Sequence, residues 1–513
     1  MAKNFLTKKN NAKSTITDNP LTSGATTLNV QSGDGAKFPA APFHATLYTT
    51  DASLGEIVKV TAKSSDAFTI VRAQEGTSAQ SWAQDAHLEL LVTAKLFDDF
   101  QTRTEIIVAT DGSGDYNCDG TSDESEINDA LSNLPSGGGI VTIKKGTYNI
   151  AGNINMLKNN VTLRGEGKST KLFLANSANV DMIQIGNGST IVNDCVVEEM
   201  TIDGNRSNQS SLGSPVVIWG ASGTKALRNT VRGCRLTNCL TDCLKLIFAD
   251  KSIIQNNVID ENTGGAAIGI FSSSQNNNIS GNILIHNSYG VYSSANYNNI
   301  VGNICVDNTG YGVYLNGVVN CNVSANWFGS VAFFQTGVLL AANAARNAIT
   351  GNTFYQPYRA ILSAADTAVI GNTISGNSIH LANQEAIYMQ AGANQNAIVG
   401  NTIRSTAMHA IRIRGSKNII SSNMLIDNGT GTNNTYSDIY LDDNGSTFST
   451  YNTVIGNNCQ AAAANKVAYH IRENASGDDF NLIIGNVCKD GVTAQISLQG
   501  SNSVRGTNIP ASG

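Results

Sequence analysis

The residues Asn278-Ile279-Ser280-Gly281-Asn282-Ile283-Leu284-Ile285 are followed, one repeat later, by Asn299-Ile300-Val301-Gly302-Asn303-Ile304-Cys305-Val306. The shared pattern is an apolar residue, two residues of a turn, an Asn, and a second apolar residue two places on. It recurs with the Asn at 257, 282, 303, 326, 352, 377, 401, 423, 457 and 486, at intervals of 21 to 26 residues and then 34 and 29. Three places before each Asn stand Ile254, Ile279, Ile300, Val323, Ile349, Ile374, Ile398, Ile420, Val454 and Ile483. Two places after stand Ile259, Leu284, Cys305, Phe328, Phe354, Ile379, Ile403, Leu425, Cys459 and Cys488. Val231 and Leu236 extend both columns one repeat earlier, with Cys234 in the Asn place, and Asn372 competes with Asn377 in one repeat.

Two short strands flanking a fixed Asn, then a third of the type Gly312-Val313-Tyr314-Leu315, make one coil of a solenoid. No single coil can bury its inward residues, so coils stack at the roughly 4.8 Å spacing of paired strands, with the Asn side chains forming a ladder inside the bend. The predicted fold is all-β, a right-handed parallel β-helix of about a dozen coils. This repeat resembles the Asn ladder of the pectate-lyase superfamily. Fold alone leaves function open, because that superfamily holds lyases, hydrolases, epimerases, tailspikes and inert scaffolds.

Residues 1–13 read as a flexible tail, 14–104 as a small β-rich module with a short connector, and 105–513 as the β-helix with a capping helix at its start. The module alternates apolar and polar residues, as in Glu56-Ile57-Val58-Lys59-Val60, and Leu91, Ala94, Leu96 and Phe97 suggest a connecting helix. Its stretch from Thr69-Ile70-Val71-Arg72 through Gly76-Thr77 to Trp82 resembles the N-terminal attachment module of phage tail fibres and tailspikes. That resemblance implies attachment to a phage tail or baseplate, a homotrimer, a virion location, and synthesis in the host cytoplasm. The β-helix opens at Asp111 to Glu124, where Thr121 and Glu124 have capping-box spacing and Ile127, Leu131 and Leu134 follow at helical intervals. This passage resembles the opening segment of pectate-lyase-like proteins of phages.

Only 14% of the 513 residues are charged, and the net charge of −6 supplies no basic face for nucleic acid. No apolar run suits membrane insertion, and none after Met1 to Lys13 resembles a signal peptide. Nine cysteines, an odd number spread over a long chain, do not form the framework of a secreted disulfide protein. Cys305, Cys459 and Cys488 fall in an interior column and read as core thiols, while the spacing of Cys234, Cys239 and Cys243 does not match a zinc site. Asp115, Asn117, Asp119 and Glu126 fit the acidic pattern of a calcium loop. They equally suit a turn that places acids at the positive end of the following helix. No other metal or cofactor is expected.

The outward residues of the third strand carry the candidate chemistry. Aligning Val291, Val313, Val338, Ile361, Ile387, Ile411, Ile439 and Tyr469 inward turns Tyr292, Tyr314, Leu339, Leu362, Tyr388, Arg412, Tyr440 and His470 outward. The next outward column ends in Arg414, Asp442 and Arg472. The middle of the face reads as small and neutral, and the C-terminal coils as charged and aromatic. Asp442, Glu473 and Arg412 are the predicted catalytic residues, since glycoside hydrolysis needs two carboxylates and elimination a base with a cation. Tyr388, Arg414, Tyr440, Asp443, His470 and Arg472 are the predicted substrate-binding residues. The longer intervals predict loops at about Gly429 to Ser437 and Asn444 to Tyr451 beside this patch.

Two functions fit. One is a tailspike-like receptor-binding protein that binds and depolymerises a host-surface polysaccharide. The other is a non-catalytic carbohydrate-binding adhesin or structural virion protein. Gly-His-Gly or Asn-Thr-Asp partners of a polygalacturonase and the calcium and arginine set of a pectate lyase are not found.

Overall fold

A computed structural model describes residues 9–51, 53–93, 104–211, 213–331, 335–462 and 466–510. The chain divides into two compact units, Met1–Arg103 and Thr104–Gly513. The first is a six-stranded antiparallel sheet. Its core holds Phe38, Phe43 and Phe68 in mutual contact, and the buried Glu56 accepts from Arg72 and from the indole of Trp82. Within the predicted connector, Leu91, Val92 and Thr93 are not helical, and 94–103 lie outside the described residues.

The second unit is a parallel β-helix. Its coils stack three strands each into long parallel sheets, two of which have fifteen and fourteen strands. Both sequence columns lie inward: Ile254, Ile300, Phe328, Phe354, Ile403 and Cys459 are all fully buried. Because the repeat aligns identical positions at every coil, Phe354 stacks on Phe328 at 4.8 Å between ring centroids.

The Asn ladder is continuous. Asn282 donates through its backbone N–H and its Nδ2 to Asn303 Oδ1, both at 3.0 Å, while Nδ2 also reaches Ile254 O at 2.9 Å. Each amide thereby satisfies backbone groups that the bend takes out of the sheet. Cys234 takes the Asn place with its N–H on Asn257 Oδ1. Asn377 continues this ladder between Asn352 and Asn401, whereas Asn372 belongs to a second ladder, five residues earlier in each coil, with Asn347 and Asn396. A third short ladder runs through Asn287, Asn308 and Gln335.

The helix Glu124–Asn133 lies at the start of this unit, with Ile127, Leu131 and Leu134 buried in the solenoid core. Its N-cap is Asp123 rather than the expected Thr121, and Asp123 instead accepts from Gly120 N and Asn149 N. Asp115 accepts from Ile107 N of the strand Glu105–Ala109, Asp119 from Thr121 N within the turn, and Asn117 bonds both ways with Gly114.

The third strand reverses its inside–outside alternation near its start. In Tyr289–Ser293 and in Tyr469–Glu473 two successive residues are buried between half-buried ones. The inward place at this bend is held by Gly290, Gly312 and Gly337 in some coils, where a Cβ on Gly337 would stand 2.3 Å from the Phe354 ring, and by the buried side chains of Asp438 and His470 in later ones. Residues one place before the inward Val or Ile column therefore enter the core, and those two places before it face out.

Candidate functional site

This reversal decides which side chains share the outer wall of the third sheet. Tyr289 and Tyr311, two places before Val291 and Val313, join Tyr292 and Tyr314 on the outside. Tyr289 stacks on Tyr311 at 5.7 Å, Tyr292 meets Tyr314 edge-on at 5.2 Å, and Phe271 extends the group at 5.5 Å from Tyr292. All five rings are half-buried, so each keeps surface open to solvent. The open aromatic part therefore lies on the coils before the small, neutral stretch of Leu339, Ala341 and Leu362, and Tyr292 and Tyr314 face out as expected. Simple alternation hides Tyr289 and Tyr311, because it assigns them the parity of the inward residues.

The C-terminal part of the wall is an ion-pair lattice. Arg412 bridges two carboxylates, with Nη1 2.8 Å from Glu385 Oε1 and Nη2 2.6 Å from Asp442 Oδ2. Arg359 also holds Glu385 at 2.8 Å, and Arg414 holds Asp442 at 2.6 Å. Burial pushes the Glu385 carboxyl up, but the Arg359 charge and the Arg412 hydrogen bond outweigh it and leave the group below its ordinary value. Both carboxylates are thus paired with guanidinium groups, Glu385 with two and Asp442 with two. Glu385, Arg359 and His409 escape the sequence reading for the same reason as Tyr289: they lie two places before the inward column.

Several sequence expectations are corrected here. Asp442 is on the outer wall as expected but only 2% exposed, with Oδ2 held by both Arg412 and Arg414. Glu473 points into the solenoid, fully buried, accepting from Asn481 Nδ2, Ser503 Oγ, Gln499 N and Gly500 N at 2.6 to 2.9 Å. It cannot pair with Asp442 across an outer groove. His470 is also inside and fully buried, because Ile471, not Tyr469, aligns with Ile439. A slip of two residues preserves alternation, so period-two reasoning alone does not detect it. Arg472 consequently takes the outward place beside Tyr440, and the side chain after it is Asn474, which donates to Asp443 Oδ2 at 2.6 Å and accepts from the Tyr440 hydroxyl.

Tyr388 and Tyr440 are not free stacking platforms. The Arg412 guanidinium lies 4.8 Å from the Tyr388 ring centre, and His409 stacks on Tyr440 at 4.4 Å with Arg472 at 5.5 Å. Their exposures are 7% and 9%. His409 accepts from Ser437 N at 2.9 Å; burial, aided by the Arg412 charge, lowers its pKa to about 4, so it is a neutral ring at pH 7. Chemically, this end of the wall offers fixed cations and hydroxyl edges.

An open groove of about 590 Å³ lies past the third strand, lined by Asp366, Thr367, Asn394, Gln395, Ser416 and Lys417. Thr447, from the long connection after Ser437–Leu441, completes one wall. Cys239 and Cys243 form a disulfide within this unit, a bond the composition did not suggest.

A protein-family profile described as "Periplasmic copper-binding protein (NosD)" matches residues 174–367. A search of curated proteins finds no match. Among solved structures, the chain is similar to a mutant tailspike protein of E. coli bacteriophage HK620 in complex with pentasaccharide. The identity is 13% and the TM-score 0.54, covering 81% of each chain. It is also similar to the A-module of mannuronan C-5 epimerase AlgE6 of Azotobacter vinelandii, at 16% identity and TM-score 0.44, over 81% of this chain and 99% of that one. PfbA, a surface adhesin of Streptococcus pneumoniae, is similar at 13% identity and TM-score 0.47, over 71% and 93%. The tailspike likeness establishes a shared β-helix fold.

Among the described residues of 174–367, no three His, Cys, Asp or Glu side chains converge as an ion would require, and the free thiols Cys195, Cys234, Cys305 and Cys321 are each buried. Cys239 and Cys243 there are bonded to each other, and His286 is exposed and paired with Glu261. Among the described residues, the groups of His, Cys, Asp and Glu close enough to share an ion lie outside that segment.

Proposed function

We propose that this chain is a carbohydrate-binding β-helix protein of the tailspike type, which recognises a host-surface polysaccharide along the outer wall of its third sheet. The observation that carries the reading is the half-open aromatic surface of Phe271, Tyr289, Tyr292, Tyr311 and Tyr314. Aromatic faces offer sugar C–H groups an apolar surface, and their hydroxyls and the arginines further along offer hydrogen bonds. The wall repeats at the strand spacing of roughly 4.8 Å, so an extended polymer meets a new set of side chains at every coil.

Binding without cleavage fits this wall better than depolymerisation. The carboxylates Glu385 and Asp442 are neutralised in place by three arginines, and Glu473 is internal. In this reading Arg412 and Arg414 order the wall, and Asp442 holds them. The N-terminal module attaches the protein to a phage tail or baseplate, and three copies assemble into a trimer that acts outside the host cell.

The test is an array of purified bacterial capsular and O-antigen polysaccharides, read alongside an assay for new reducing ends or unsaturated products. Binding to at least one glycan, weakened about tenfold or more by Tyr311→Ala together with Tyr314→Ala, with no product, is the expected result. Product formation from a bound glycan overturns the non-catalytic reading. Binding that survives the double substitution unchanged moves the site elsewhere. Light scattering is expected to give the mass of three chains, and a monomer at micromolar concentration overturns the trimer.

A further inference from the structure

The interior of the last coils contains a cluster that the outer wall does not explain. Asp438 and His470 stand at the bend position that Gly290, Gly312 and Gly337 occupy in earlier coils, which places both side chains inside. Facing them is the second-strand column, which here holds Cys459 and, as its partner on the next coil, Cys488. Asp438, Cys459 and His470 are 0% exposed and Cys488 is 1% exposed.

The donor atoms converge. One ligand atom each of Asp438, Cys459 and His470 lie within 4.8 Å of one another. Cys488 stands directly opposite Cys459 on the next coil, close enough for the two thiols to share a hydrogen bond, so a second buried sulfur borders this group. The ring of His470 is oriented from behind: Nε2 lies 2.7 Å from Lys489 O, to which it donates, leaving Nδ1 directed at Asp438 Oδ2, 2.5 Å away. Asp438 is held in turn by Asn428 Nδ2 at 2.9 Å on Oδ1. An imidazole fixed by a carbonyl through one nitrogen, with the other facing acidic donors, is the arrangement that metal-ligating histidines adopt.

We propose that Asp438, Cys459, His470 and Cys488 form a four-ligand zinc site inside the C-terminal coils. Two sulfurs, one imidazole nitrogen and one carboxylate oxygen suit Zn²⁺, whose bonds to them are about 2.0 to 2.3 Å. Binding replaces the hydrogen bond between Nδ1 and Oδ2, and the two thiol protons and any proton on Nδ1 pass to solvent. Four protein ligands leave no open position, so the ion is structural. It would join three successive coils, carrying Asp438, then Cys459 and His470, then Cys488. In a solenoid whose coils are stabilised by their neighbours, the end coils have the fewest, and a cross-coil ion acts where such support is least.

The experiment uses the full chain, purified under reducing conditions after growth with added zinc, with metal content measured by plasma mass spectrometry. About one zinc per chain is expected. A chelator should lower the thermal midpoint by several degrees, and re-addition of zinc should restore it. Replacement by cobalt should give a thiolate charge-transfer band together with intense tetrahedral d–d absorption. Cys459→Val with Cys488→Val should abolish both metal content and cobalt band. Wild-type protein with less than about one-tenth of a zinc per chain and no cobalt–thiolate band overturns the site, as does a double variant that retains stoichiometric zinc. If the double variant does not fold, the cobalt spectrum of the wild type decides alone.

Discussion

Arg412 and Asp442 meet through two nitrogens on one oxygen, Nε at 2.8 Å and Nη2 at 2.6 Å from Oδ2. The same guanidinium reaches Glu385 with Nη1, so a single side chain neutralises carboxylates from two neighbouring coils. The side chains of Glu385 and Asp442 are 1% and 3% exposed.

Replacing Arg412 by Met keeps the aliphatic stem and removes the guanidinium and its charge. Leaving buried carboxylates short of their shared partner costs about 3–5 kcal/mol. Urea denaturation of wild type and Arg412→Met is expected to differ by about that amount, and a difference below about 1 kcal/mol refutes the bridging role.

Acid should loosen this part of the wall in two stages. His409 has a folded pKa of about 4 against an ordinary 6.5, so its contribution is full above about 6.5 and is lost as pH falls towards 4. Glu385 is also depressed, so its contribution is full above the ordinary glutamate value and disappears at still lower pH. Thermal midpoints from pH 7 to 3 should therefore fall throughout. In His409→Asn the slope between about 6.5 and 4 should flatten, and an unchanged slope shows that His409 is not its source.

Gly337 is required by packing rather than by an unusual backbone angle. An added Cβ would meet the Phe354 ring at 2.3 Å and Ala360 O at 2.5 Å. Gly337→Ala should destabilise by about 1–3 kcal/mol, as overpacking does. Combining it with Phe354→Leu should recover part of that loss, giving a favourable coupling in a double-mutant cycle. Additive losses would mean that the carbonyl, not the ring, sets the limit.

Removing one rung of the Asn ladder strands groups on either side. Asn303→Ala deprives Asn282 N and Nδ2 of their acceptor and Ile279 O of its 2.9 Å donor. At about 1–3 kcal/mol for each unpaired buried group, the loss should be roughly 3 kcal/mol or more. Asn508→Ala, at the half-exposed end of the ladder, should cost much less, since water reaches the groups it leaves. Equal losses at the two positions would contradict burial as the cause.

The repeat by itself determined the parallel β-helix, the two apolar columns and the first Asn ladder, because a residue that must be buried at every coil recurs at every coil. Ile300 and Phe354 fall inside as their spacing requires, and the small residues of the third strand hint at a tight bend. Tertiary structure alone decided the wall. At its bend the strand reverses its alternation, with Gly312 and Gly337 packed against the Phe328 and Phe354 rings of another strand, and this turns Tyr289, Tyr311 and Glu385 to the wall and His470 to the core. It also decided that Ile471, rather than Tyr469, aligns with Ile439, which moved Glu473 indoors. A period of two cannot distinguish registers that differ by two, and it cannot show that Arg412 already occupies the carboxylates it stands beside.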